Sequence, residues 1–192
     1  MTLDDIVSDY IREYRERARA EMRFFEIQRT PATAIRKAAL CELPSGKRHP
    51  HQRRIPKYLL EQAEARLQAI GRKLANAADF SALHRLVGSE IGSIKGIGGL
   101  TVYDIAHRIG AHFGKAPKLV YLHAGTRAGA RVFNVSGDSF DPRTLPKAFS
   151  HLAASEIEDC LCIYKDELRD ATRPRSVRHR SGCAVAGRQR CV

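Results

Sequence analysis

Apolar residues recur along most of this chain with the 3.6-residue period of an α-helix, and no two stretches alternate as a pair of β-strands would. Leu3, Ile6, Val7, Tyr10, Ile11 and Tyr14 follow the i, i+3, i+4, i+7 rule. Thr2, with Asp5 three residues on, forms an approximate capping box, so the spacing predicts a first helix from residue 3 into the twenties. Thr30 before Pro31 predicts a short helix to about Glu42. After Pro56, Leu59, Leu60, Ala63, Leu67, Ile70 and Leu74 hold the period for five turns, and Asp79 caps a further helix that turns Phe80, Leu83, Leu86 and Val87 inward. The next helix is expected over Leu100 to Phe113, ending near Gly114. Leu119 to Leu122 has no strand to pair with, so a helical turn is expected there, leading to a helix over Thr126 to Phe133. Ser155 with Glu158 reads as the capping box of a last helix whose inner face is Ile157, Cys160, Leu161, Tyr164 and Leu168.

The expected fold class is therefore all-α: a single multi-helix domain over residues 1–170, followed by a disordered basic tail over 171–192, where Arg, Ser, Gly and Ala follow one another without an apolar period. With 192 residues, 43% hydrophobic and 28% charged, the chain can bury one full core. No apolar run approaches the roughly 18 residues of a membrane span, and the first helix is acidic and amphipathic, unlike a leader. No membrane association and a cytoplasmic location are the expectations. Five cysteines scattered at Cys41, Cys160, Cys162, Cys183 and Cys191 form no disulfide framework. Cys160 and Cys162 lack zinc-knuckle spacing, and His49 and His51 complete no ligand set, so neither metal nor cofactor is expected.

Charge is unevenly placed. The formal net charge is +12, of which Lys47, Arg48, Arg53, Arg54 and Lys57 put +5 between Pro44 and Tyr58 with no acid among them. Six arginines put +6 after Ala171, leaving the remaining helical segments almost neutral. Arginine-only enrichment suits bidentate phosphate contacts, so the distribution points to a polyanion partner.

The stretch "SIKGIGGLTVYDIAHRIGAHFG" joins two amphipathic segments through Gly96, Ile97 and Gly98. A turn needing positive φ or close backbone approach explains both glycines, and a helix starting at once afterwards points its unpaired N–H groups back at the turn. Such a corner is either architecture or an anion holder. Residues 91–109, extended by the second helix to 113, resemble the helix-hairpin-helix motif, with Val102 and Ile105 as the small or branched residues packing on the first helix. The resemblance implies that hairpin amides and the helix N-terminus grip a DNA phosphate without reading bases. It places Lys95, Gly96, Ile97, Gly98 and Thr101 at that phosphate, with Arg108 reaching its neighbour. Lys47, Arg48, Arg53 and Arg54 of the basic segment, with Arg127 and Arg131, complete the expected DNA-binding set.

Many proteins with this motif are base-excision glycosylases. Bifunctional members carry a catalytic lysine two residues after the second hairpin glycine, where this chain has Leu100, and an aspartate in the region occupied here by Val120 to His123. No acid lies between Asp104 and Asp138, which argues against that chemistry. The resemblance thus implies sequence-independent binding of nucleic acid, duplex DNA in particular. Two alternatives stand beside it. One is a nucleic-acid-processing enzyme with a site near Tyr121 to Arg131, in which His123 is the candidate catalytic residue and shares a helical face with Arg127 and Arg131. The other is a module that binds RNA or another protein.

Overall fold

Side chains start the helices where the sequence places the caps. In the computed structural model, which describes residues 1–172, Thr2 Oγ1 accepts from Asp5 N at 3.1 Å and the Asp5 carboxylate accepts from Thr2 N at 2.8 Å, opening α1 (Leu3–Glu13). Thr30 caps α3 (Pro31–Ala39) by accepting from Thr33 N, and Asp79 caps α6 (Phe80–Ile91) by accepting from Ala82 N. Gly114, at φ +66, ends α7 (Gly99–His112) in the left-handed conformation expected of it.

Three of the helices are interrupted at a single residue, which the one-dimensional period does not mark. The first is two segments, α1 and α2 (Arg15–Glu26), meeting at Tyr14, yet its hydrogen-bond ladder continues through Tyr14 N to Tyr10 O and Ala18 N to Tyr14 O. This one amphipathic helix serves two cores. Ile6, Val7 and Tyr10 enter one, and Phe25 enters the other. The helix after Pro56 divides at Ile70 into α4 (Lys57–Ala69) and α5 (Gly71–Ala75). The last helix divides at Tyr164 into α9 (Ala154–Ile163) and α10 (Lys165–Thr172). α9 begins one residue before Ser155. Its N-terminal acid is Glu156, which accepts from Ala153 N at 3.0 Å and holds Arg15 and Arg19 of α2 at 3.0 Å each. Glu158, expected in the capping box, is instead buried. Ala171 and Thr172 belong to α10, and the rest of the expected tail lies outside the described residues.

The helical turn expected at Leu119 to Leu122 is a strand. β1 (Val120–Tyr121) pairs antiparallel with β2 (Ser139–Phe140), extended by Leu122 N donating to Asp138 O at 2.8 Å. Two residues per strand give no alternation that a sequence pattern could register. Their alternation in space nevertheless matters: Val120 and Leu122 enter the core built from α1, α8 (Ala124–Ala130), α9 and α10, whereas Tyr121 enters the core built from α2 to α7. A 3₁₀ turn over Arg131–Phe133 completes the helical region expected at 126–133. α8 lies against α9 with almost no spacing, because a Cβ on Gly129 would stand 2.1 Å from Leu161 O and one on Gly125 2.4 Å from Cys162 Sγ. The architecture is all-α apart from this small sheet, as the period predicts, and no described helix is long and apolar enough to cross a membrane.

Candidate nucleic-acid interface and adjoining cleft

The helices on either side of the hairpin are packed as one unit. Gly88 of α6 admits Val102 of α7, and Val87, Ile91, Val102 and Ile105 share the larger core. Between them the chain turns through Ile94 N to Ile91 O at 3.0 Å and Ile97 N to Ile94 O at 2.9 Å. Both isoleucines are buried, which leaves Ser93, Lys95, Gly96, Gly98, Gly99 and Leu100 facing solvent. The two glycines of the turn differ. Gly96 sits at φ +106 with its α-carbon against Leu59 of α4, whereas Gly98, at φ −92, is in ordinary extended backbone with open space beside it. Only Gly96 is required by conformation.

Gly98 is the N-cap of α7 and supplies no side-chain cap, so the N–H groups of Gly99, Leu100 and Thr101 precede the first ladder bond, Val102 N to Gly98 O. α4 starts in the same neighbourhood after Pro56, also without a side-chain cap. Leu59 touches the hairpin at Gly96, and Arg66 farther along α4 donates to Glu90 O at 2.9 Å and Ser93 Oγ at 3.1 Å. Two uncapped helix starts are thereby tethered at one turn, each carrying about half a positive elementary charge. Exposed Lys95 stands on the hairpin and exposed Arg53, Arg54 and Lys57 on the approach to α4; of these only Lys57 has a carboxylate partner, Glu61 at 2.9 Å, among the described residues.

A buried network holds the basic segment in place. Arg108 of α7 pairs with Glu21 of α2 at 3.2 Å, His49 stands 3.7 Å from the same carboxylate, and Gln52 donates to Asp104. Arg48 donates to Ile55 O at 2.6 Å, closing the segment on itself, and Lys47 is exposed at its far turn.

This placement corrects part of the expected set. Arg108 is 3% exposed and committed to Glu21, so it reaches no phosphate. Its two-turn spacing from the hairpin is right, but the face is inward. The Thr101 side chain and Ile97 are buried as well, so only their backbone is left to meet a ligand. His123 is the extended N-cap residue of α8, so it shares no helical face with Arg127 and Arg131. Arg127 donates to Gly137 O at 2.5 Å and Leu122 O at 3.1 Å and stands 3.6 Å from Asp138, which makes it a brace between β1 and β2. Arg131 is exposed at the opposite end of α8 from His123.

On the other side of the hairpin is a cleft of about 440 Å³, where the two cores meet, lined by Gly92, Ile97, Gly99 and Val102 on the hairpin side and by His84, Tyr121, Leu122, His123 and Asp138 across from it. Three of its lining residues carry rings that join through the buried Tyr103 behind them: His84 to Tyr121 at 4.7 Å between centroids, Tyr121 to Tyr103 at 5.4 Å, and Tyr103 to His123 at 4.8 Å. Tyr121 Oη is 3.0 Å from Ser81 Oγ, which orients its ring. Burial, then the nearby His84 and Arg127, push the His123 imidazole down to about 4, and burial lowers His84 too, so both are neutral at pH 7. His123 Nε2 is buried without a hydrogen-bond partner. Behind these rings Glu158 accepts from Thr126 Oγ1 at 2.5 Å, and burial, then Asp159, pushes its carboxyl up to about 8. His84, Tyr103 and Asp138 were not legible as neighbours of His123, because α6, α7 and the β2 approach bring them together across up to 54 residues of chain.

Comparison with protein-family models, with curated proteins and with solved structures gave no match to this chain. No group of metal-ligating side chains is assembled among the described residues.

Proposed function

We propose that the chain binds duplex DNA without sequence preference, through phosphates seated on the open amides at the start of α7 and on the cations around it. The observation that carries this reading is the junction of two uncapped helix N-termini, α7 and α4, at one solvent-facing turn bearing Lys95 and flanked by Arg53, Arg54 and Lys57. Amides at a helix start supply oriented donors, the exposed cations release counterions, and neither contact depends on base identity. In this reading the protein works in the cytoplasm, where the unpaired Cys41, Cys160 and Cys162 stay reduced.

A salt titration of binding to duplex DNA, single-stranded DNA and duplex RNA of one sequence tests it. The account expects duplex DNA to bind most tightly, independently of sequence, with a log–log salt slope of about −0.9 per phosphate contacted. A salt-independent interaction, or none with any polyanion, overturns it.

A second reading, a nucleic-acid-processing enzyme, draws on the cleft: His123 is a neutral imidazole with an unpaired buried nitrogen beside the hairpin. Release of a base or a cut strand, lost in His123→Ala, is its test.

A further inference from the structure

The cleft and the hairpin share a residue. Gly99 supplies the first open amide of α7 and also lines the cleft, and a Cβ placed on it would lie 4.0 Å from His123 Nδ1. Whatever phosphate sits on that amide therefore has the cleft directly beside it. We propose that the cleft is a pocket for the terminal nucleotide of a DNA strand, the terminal phosphate resting on the first-turn amides of α7 and the heterocycle lying among His84, Tyr121 and His123. The inference rests on the hairpin reading given above and names the form of DNA that this hairpin holds best.

Three features of the cleft select this ligand. Its lining carries three rings, His84, Tyr121 and His123, backed by buried Tyr103, and a single ring face among them suffices to stack a planar heterocycle whatever its sequence. His123 Nδ1, the ring nitrogen beside Gly99, makes no hydrogen bond to the protein and is free to bond a ligand in the cleft, whereas Nε2 is enclosed on the far side of the ring. The volume of about 440 Å³ falls in the range of small-molecule sites and admits one nucleotide, not a stacked duplex. A nucleotide inside a continuous duplex reaches such a pocket only by losing its pairing and both stacking partners. One at a strand end keeps a single stacking neighbour and frays far more readily, so the end is the form that enters. Asp138 stands fully exposed at the mouth with its charge opposed by Arg127 at 3.6 Å.

The shared chemistry is a heterocycle joined to a terminal phosphate, which a free mononucleotide also has. The test uses one relaxed circular duplex in three forms: covalently closed, singly nicked with a 5′-phosphate, and the same nick dephosphorylated. The phosphorylated nick should bind about tenfold more tightly than the closed circle, the gain of one hydrogen-bonded charged group. The preference should vanish on dephosphorylation and in His123→Ala, with closed-circle affinity unchanged. His84→Trp, which fills the cleft from α6, should act likewise, and circular dichroism checks that both variants fold.

Equal affinity for the closed and nicked circles overturns the pocket while leaving the hairpin reading intact. Absence of binding to every circle removes the hairpin reading itself. Preference for a closed circle carrying one unpaired internal nucleotide over the phosphorylated nick overturns the strand-end assignment, as does a nucleoside 5′-monophosphate that binds as tightly as the nick.

Discussion

Replacing Gly96 by alanine separates the conformational role of the hairpin glycines from their role as openings toward a ligand. At φ +106 an L-residue is held in a region its Cβ disfavours, which costs about 2–3 kcal/mol. The new Cβ would also stand 2.9 Å from Leu59 Cδ1, the movable end of a half-buried side chain, so that contact adds little. The smaller conformational entropy of alanine in the unfolded chain offsets about 0.5 kcal/mol, leaving a net loss of about 2 kcal/mol. For a domain of this size that is a fall in Tm of about 4–8 °C. Gly98→Ala is the control: φ −92 suits alanine and nothing lies within 4 Å of its Cβ, so weaker N-capping and the entropy gain nearly cancel. Thermal unfolding followed by circular dichroism compares the two. Equal losses, or a larger loss for Gly98→Ala, refute the assignment of the turn's strain to Gly96.

Three further outcomes follow from buried groups. Stability should peak between the ordinary carboxyl values and the ordinary histidine value of 6.5. Burial pushes His107 and His123 down to about 4, so the folded state loses stability as pH falls from 6.5 toward that value; Glu158 and Asp159, pushed up by burial to about 8 and about 7, keep their protons in the fold, so stability is lost as pH rises from their ordinary values of 4.5 and 3.8 up to those raised ones. Urea unfolding across pH 5 to 9 reads both limbs, and Glu158→Gln should flatten the alkaline one; an unchanged alkaline limb refutes the assignment. Arg108→Ala should cost about 3 kcal/mol by stranding Glu21 and loosening the basic segment, measured by urea unfolding, because Arg108 is a buried ion-pair partner. Gly129→Ala should cost about 3 kcal/mol or more, since its Cβ meets the Leu161 carbonyl of α9, and a Tm within 2 °C of the parent contradicts the close α8–α9 packing.

What the sequence made legible follows from which interactions are local. Capping at Thr2, Thr30 and Asp79 spans three residues and reads directly, as does the positive φ of Gly114 at a helix end. The break at Tyr14 divides one helix between the two cores, of which period alone carries no trace, whereas the breaks at Ile70 and Tyr164 leave both halves of their helices in the same core. Arg108 was misplaced for a related reason: its spacing marked it as near the hairpin, while its direction depended on Glu21, 87 residues away. The cleft was partly visible, because His123 and Tyr121 stood out near a glycine-rich junction. His84, which packs against Tyr121 in the same lining, came from a helix whose sequence announced only a core face.

The central claim, that the open amides of α7 hold a phosphate, is tested most directly by Gly99→Pro. Proline is favoured at the first helical position, where no ladder bond is lost, and Gly98 before it already has the extended backbone (φ −92, ψ 172) that a following proline demands. The substitution removes one donor aimed at the ligand and leaves the surrounding cations in place. The account predicts an unchanged Tm and about a tenfold loss of affinity for duplex DNA. A folded Gly99→Pro protein that binds duplex DNA as tightly as the parent contradicts it.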